Sequence, residues 1–259
     1  MINFFQNKVV LITGASSGLG ESLAIEFAKN GSNVILLARR FEKIKELSEE
    51  LSNKYNKCLA IKCDVTKEND LENATKEAVG VFGKIDIVVA NAGFGLSGNF
   101  EDVKIQGYRE QFETNVFGVL KTIYATLEEL KKTKGSICII GSVNGAVSFS
   151  TGVTAYVMSK FAIRGLIPSL SLELEKYDIS VTHIMPGFIE TEFHKNHKKI
   201  PQINWLKMKT EKASKRILRA IRKKENEVII TKHAKIAFFL ERYMPNFLRK
   251  ISKFIAKNK

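Results

Sequence analysis

The sequence predicts an α/β protein: one doubly wound domain around a seven-stranded, mostly parallel sheet with helices on both faces. Three observations predict it. Short apolar runs rich in β-branched residues alternate with longer stretches of helical period through the first three quarters of the chain. The runs are apolar throughout rather than at every second residue, the pattern of strands buried on both faces of a parallel sheet. No repeat, low-complexity stretch or linker divides the 259 residues, a length that a single α/β core accommodates.

The first strand is read at Lys8–Thr13 (KVVLIT), which runs into a glycine turn. Beyond the turn, Leu19, Leu23, Ile25, Phe27 and Ala28 form the apolar stripe of a helix that stops at Asn30-Gly31. A second strand covers Asn33–Ala38, and a charged helix over Glu42–Tyr55 turns Ile44, Leu47 and Leu51 inward. A third strand covers Cys58–Cys63, after which Asp64-Val65-Thr66 caps a helix over 67–82. The fourth strand, Ile85–Ala90, ends in Asn91-Ala92-Gly93; a loop and a long helix over 107–132 follow. The fifth strand is Gly135–Ile140, the next helix Ala155–Tyr177, the sixth strand Ile179–Met185 and the seventh Glu227–Thr231. Right-handed crossovers then wind the sheet from both sides and leave a ligand crevice at the carboxyl ends of the strands.

Composition narrows the function. The net charge of +14 would raise nucleic acid as a partner. Its distribution argues against one: residues 1–192 carry 21 Lys and Arg against 23 Asp and Glu, whereas 193–259 carry 20 against 4. Cys58, Cys63 and Cys138 lie in or beside apolar runs without metal-like spacing, and read as reduced, buried thiols of a cytoplasmic protein. Met1–Phe5 is too short for a secretory signal, and no run approaches the roughly 18 apolar residues of a spanning helix.

The chemistry centres on Tyr156-Val157-Met158-Ser159-Lys160. Tyr at i and Lys at i+4 share a helix face. An ammonium there favours the phenolate and would draw the Tyr156 pKa down from about 10, suiting it to pass a proton to or from a carbonyl or alcohol oxygen. Gly14, Gly18 and Gly20 follow the first strand with G-x-x-x-G-x-G spacing. Such a turn presents backbone N–H groups to a pyrophosphate at a helix N-terminus, and Ser16 and Ser17 add hydroxyls. At the end of the second strand a carboxylate would bind the ribose hydroxyls of NAD. Ala38-Arg39-Arg40 stands there instead, so Arg39, with Arg40 beside it, would receive a 2′-phosphate, favouring NADP(H) over NAD(H). The alternative is two solvated arginines at a helix start. Asp64 is placed to accept from an adenine amino group, or serves as a plain N-cap. His183 reads as a core histidine. His194 and His197 have no carboxylate or Cys nearby, so no metal is expected.

TGASSGLG at Thr13–Gly20, ANAG at Ala90–Gly93, Asn115, Ser142, YVMSK and Pro186-Gly187 together resemble the short-chain dehydrogenase/reductase family, a Rossmann-type fold, in register from about residue 7 to 192. The resemblance implies a tetrad of Asn115, Ser142, Tyr156 and Lys160. Tyr156 would be the general acid in reduction and the base in oxidation. Lys160 would lower its pKa and hold the nicotinamide ribose, Ser142 would steady the substrate oxygen, and Asn115 would hold a water relaying protons toward Lys160. The cofactor would lie along Gly14, Ser16, Ser17, Gly18, Leu19 and Gly20, Asp64 and Val65, and Asn91-Ala92-Gly93. Pro186, Gly187, Ile189 and Thr191 would wrap its nicotinamide. The family also assembles as dimers or tetramers through its long helices, here 107–132 and 155–176.

The resemblance weakens beyond residue 192. Residues 193–225 fall in the family's variable, substrate-closing segment, where Trp205, Leu206 and Met208 either cap an apolar pocket or pack on the body. In 232–259, Leu240, Met244, Phe247, Leu248, Ile251, Phe254 and Ile255 recur at helical spacing, with Arg242, Arg249, Lys250, Lys253 and Lys257 mostly on the other side. Pro245 starts the second of two basic amphipathic helices. They either meet an anionic membrane surface peripherally or pack on the body or a second subunit. The expected activity is hydride transfer between NADP(H) and a lipophilic ketone or secondary alcohol. The alternatives are a 3-oxoacyl-(carrier protein) reductase and a non-catalytic NADP(H)-sensing protein.

Overall fold

Residues 3–147, 151–191 and 206–257 are described by the computed structural model. Its centre is a seven-stranded sheet of β1 (Val9–Thr13), β2 (Asn33–Ala38), β3 (Cys58–Lys62), β4 (Ile87–Ala90), β5 (Ser136–Ile140), β6 (Ser180–Met185) and β7 (Glu227–Ile229). The order is β3-β2-β1-β4-β5-β6-β7, and every neighbouring pair is parallel. The reversal between β1 and β4 opens the crevice that a doubly wound sheet offers to ligands.

Burial explains the strands. β1, β4 and β5 are buried at every residue, as continuous apolar runs require. One face packs under α1 (Gly18–Lys29), α2 (Phe41–Lys54) and α7 (Thr210–Arg222), with Leu23, Phe27, Ile44, Ile217 and Ile221 in its core. The other packs under α3 (Asp70–Phe82), α5 (Gly118–Thr133) and α6 (Thr154–Glu175), with Leu71, Ile123, Leu130, Ile163 and Ile167. A smaller cluster of Val143, Val147, Met185, Ala234 and Leu248 seats α8 (Lys232–Tyr243) and α9 (Pro245–Lys257). Cys58, Cys63 and Cys138 are buried free thiols, and burial pushes Cys58 to about 11 and Cys63 to about 12. Such thiols are inert packing groups.

Two of the predicted helices differ from those observed. The helix expected from 67 begins at Asp70. Asp64 Oδ1 accepts from Thr66 N at 3.1 Å and Thr66 Oγ1 at 2.8 Å, closing a local turn, while Asp70 Oδ2 accepts from Asp64 N at 2.9 Å. The long helix predicted over 107–132 is α4 (Ile105–Phe112), a π-helical turn (Glu113–Phe117) and α5. The residues buried through this junction are the polar Gln111 and Asn115, so an apolar period does not mark it. Of the variable segment, α7 and the stretch before it from Leu206 are described; Trp205, His194 and His197 lie outside the described residues.

Candidate active site

The glycine turn follows from contact with β4. Gly14 has φ +68°, and a Cβ there would lie 2.9 Å from Ala92 Cα; at Gly18, with φ +60°, it would lie 3.2 Å from Thr191. Side chains are excluded at both, so a ligand can reach the backbone of the first turn of α1. Thr13 Oγ1 accepts from Asn91 N and Ala92 N, both at 3.0 Å, and Asn91 Nδ2 donates to Thr13 O at 2.9 Å and Gly14 O at 3.2 Å. Asn91-Ala92 thus braces the turn. Gly20 sits within this brace, and Leu19 packs on the core below.

Arg40 lies across the turn. Its Nε and Nη2 donate to Ser16 Oγ at 3.1 and 2.9 Å, and Nη2 to Ser17 Oγ at 2.6 Å. Arg39, the residue expected to lead, is exposed, and its side chain bonds to none of the described residues. Successive residues leaving a strand point opposite ways, so only one of the pair can face the turn. Two hydroxyls, a guanidinium and open N–H groups form a donor set suited to phosphate. Val65 is buried in the core against Gly118.

The chemical end lies where β5, the π-helical turn and α6 converge. Ser142 follows β5 and caps a short 3₁₀ turn (Val143–Gly145), accepting from Asn144 N at 3.1 Å. Its hydroxyl is hydrogen-bonded to Tyr156. Lys160, only 6% exposed, lies one turn along α6 with Nζ 5.8 Å from the Tyr156 ring centre. That Nζ donates to Ile140 O at 2.9 Å, tying α6 to the end of β5. The Tyr156 pKa goes up rather than down: burial pushes it to about 12, opposed by the Ser142 bond. Burial likewise lowers Lys160 to about 8. Desolvation of the phenolate sets the direction at Tyr156, and the opposing influence is the Ser142 hydrogen bond rather than the Lys160 charge.

Asn115 is fully buried in the π-helical turn. Its Nδ2 donates to Phe94 O at 2.9 Å and Ser159 Oγ at 3.2 Å, and its Oδ1 accepts from Phe94 N at 3.0 Å. Both amide hydrogens are taken, so its side chain has one open lone pair on Oδ1 to offer a water. Gln111, one turn earlier, holds the same loop through Leu96 N at 2.7 Å and Phe94 O at 2.6 Å. Gly93 fits against Asn115. The segment after β6 closes the far side: Val143 N donates to Pro186 O at 2.9 Å, Ile189 pairs with Met208, and Gly187 abuts His233, whose Nε2 accepts from Phe188 N at 3.0 Å. Met208 packs on the core from there. All four predicted catalytic positions therefore meet at the carboxyl ends of the strands.

The family profile of the short chain dehydrogenases matches residues 8–201. The chain belongs to that family. Among similar proteins, a Dehydrogenase/reductase SDR family protein 7-like from Dictyostelium discoideum is 34% identical over 94% of this chain and 80% of its own. Oxidoreductase UcpA from Salmonella typhimurium is 40% identical over 71% of this chain and 70% of its own. In three dimensions, an alcohol dehydrogenase from Thermococcus sibiricus complexed with 5-hydroxy-NADP superposes with a TM-score of 0.79 at 28% identity, covering 87% of this chain and 97% of that one. A short-chain dehydrogenase from Streptomyces avermitilis gives 0.83 at 25% identity and 98% of both chains. This short-chain dehydrogenase is thus an oxidoreductase of CH–OH and carbonyl groups that works with a nicotinamide cofactor.

Sequence reasoning passed over one cluster beside this site. Arg164, two turns beyond Tyr156 on α6, donates to Glu227 of β7 at 3.1 and 3.2 Å. Glu227 also meets Nδ1 of the fully buried His183 at 3.3 Å, and His183 with Arg164 brings its carboxyl down to about 2. His183 is the core residue predicted. Its ring occupies the space that a side chain on Gly141 would take, at 2.1 Å from Nε2. The i, i+4, i+8 spacing of Tyr156, Lys160 and Arg164 was the available signal; the partner on β7 was not.

Proposed function

We propose that this enzyme is an NADP(H)-dependent carbonyl reductase, with the reverse alcohol oxidation, acting on an apolar ketone or secondary alcohol. Arg40 and the hydroxyls of Ser16 and Ser17 receive the 2′-phosphate, with Arg39 adding charge. Gly14, Gly18, Gly20 and the first turn of α1 take the pyrophosphate, and Asp64, Val65, Asn91, Ala92 and Gly93 line the path to the reacting end. Pro186, Gly187, Ile189 and Thr191 enclose the nicotinamide. When bound, the cofactor supplies or accepts the hydride.

The rest falls to the chain itself. The substrate oxygen sits between the Ser142 and Tyr156 hydroxyls. Tyr156, kept protonated by burial, donates to it in reduction, and Ser142 stabilises the developing alkoxide. The Lys160 ammonium holds the ribose and favours the phenolate left behind. Asn115 keeps the Phe94–Leu96 loop in place and offers Oδ1 to a water on the proton route. One observation carries this reading: the Tyr156 hydroxyl is bonded to Ser142 while a buried Lys160 lies one turn away. A protein that only senses the cofactor has no use for the paired Ser142 and Tyr156 hydroxyls.

Turnover of NADPH and NADH on a panel of lipophilic, aromatic and 3-oxoacyl ketones tests the proposal. Preference for NADPH and for free lipophilic ketones supports it. Turnover confined to carrier-bound 3-oxoacyl chains would replace it with the acyl reductase, for which the basic tail would attract an acidic carrier. Tight NADPH binding without turnover would leave a sensor.

A further inference from the structure

α8 and α9 present a surface that the active site does not use. Ala234 of α8 is buried, and Ala237, Phe238 and Leu240 pack on the cluster of Val143, Val147 and Met185. The opposite face carries Ile236, Phe239 and Tyr243, which are 61%, 56% and 64% exposed. Their spacing places them in one stripe along the helix. The Phe239 and Tyr243 rings lie 4.8 Å apart, so the stripe is packed within itself. Met244 and Phe247, both about half exposed, stand at the junction with α9.

The rim of this stripe is cationic. Lys232, Lys235 and Arg242 of α8 and Arg249, Lys250 and Lys253 of α9 are exposed. Among the described residues none of the six is in an ion pair. Glu241 is the sole carboxylate in the sequence from 232 to 257. No described helix is long and apolar enough to cross a membrane.

We propose that this face lies on an anionic bilayer, with Ile236, Phe239, Tyr243, Met244 and Phe247 entering the headgroup–acyl boundary and the six cations meeting lipid phosphate and carboxylate. Aromatic residues beside Lys and Arg on a helix that lies flat suit that boundary. A second copy of the same face would oppose cation to cation. A nucleic acid would satisfy the cations but leave the apolar stripe in water.

Flotation of the full chain with vesicles tests the proposal. Recovery should be about tenfold higher with phosphatidylcholine containing about a third phosphatidylserine than with phosphatidylcholine alone, and should fall as salt is raised. Phe239→Glu/Phe247→Glu, on exposed positions, should lose binding to the mixed vesicles by about tenfold while NADPH affinity and the melting curve stay as in the parent chain. Lys235→Glu/Arg242→Glu should lose the dependence on phosphatidylserine. Equal recovery with both vesicles, or none with either, would overturn the proposal. So would a Phe239→Glu/Phe247→Glu variant that still floats, or one whose only change is a smaller assembly by light scattering, which would make the face a contact between copies.

Discussion

Replacing Arg40 by alanine removes the guanidinium that spans the glycine turn at 2.6–3.1 Å from two serine hydroxyls. The fold loses little, because an exposed side chain bonded to neutral partners contributes within about 0.5 kcal/mol. Cofactor binding loses more. A charge-assisted contact to a 2′-phosphate is worth about 1.5–3 kcal/mol, and about 1.4 kcal/mol is a factor of ten. NADPH affinity should therefore fall about ten- to hundredfold in Arg40→Ala. NADH has only hydroxyls at that place, and its affinity should change by less than about threefold. Arg39→Ala removes a screened charge worth about 0.3–1 kcal/mol, so NADPH binding should weaken only about two- to fivefold. Titration of reduced-cofactor fluorescence gives all of these constants, with the parent chain as reference. An unchanged NADPH-to-NADH ratio in Arg40→Ala, or a larger loss in Arg39→Ala, would refute the assignment of the phosphate to Arg40.

Two pH-dependent outcomes follow from the site. The Glu227 carboxyl is held at about 2, below its ordinary 4.5, so its contribution to stability is complete above about pH 4.5 and is lost as pH falls toward 2. Glu227→Gln should lose about 1–2 kcal/mol at pH 7, allowing for a side chain one-third exposed, and urea denaturation should show that deficit shrinking below pH 4.5; a deficit constant down to pH 3 would contradict the pairing. Lys160, brought down to about 8 by burial, should set the upper limb of the reduction profile: kcat/KM falls above about pH 8 although Tyr156 stays protonated well beyond it. A profile flat to pH 9.5 would show that the charge of Lys160 is not required.

What was legible in the sequence was whatever burial writes into a run of residues. β2 has the predicted bounds, and α1 stops at the predicted Asn30. Parallel order followed from strands alternating with helices, since crossovers have one hand. Local geometry that leaves the pattern unchanged was not legible. The π-helical turn that seats Asn115 buries Gln111 and Asn115, polar residues that an apolar pattern does not single out. Asp64 looks like a cap, yet it is committed to Thr66, and the helix waits for Asp70. The two arginines after β2 are equivalent as letters, and only the backbone direction selects Arg40. The Tyr156–Lys160 spacing was visible, but the desolvation that raises the phenol was not. Arg164 and Glu227 are 63 residues apart, so their pairing exists only once β7 lies beside β6.

The central claim, that one phenol handles the proton, is tested most directly by Tyr156→Phe. The change deletes a single oxygen and leaves the ring, Lys160 and the glycine turn in place. NADPH affinity should stay within about threefold of the parent chain while reduction of the best ketone falls about a thousandfold or more. Turnover above a few per cent of the parent rate, with cofactor binding intact, would contradict it.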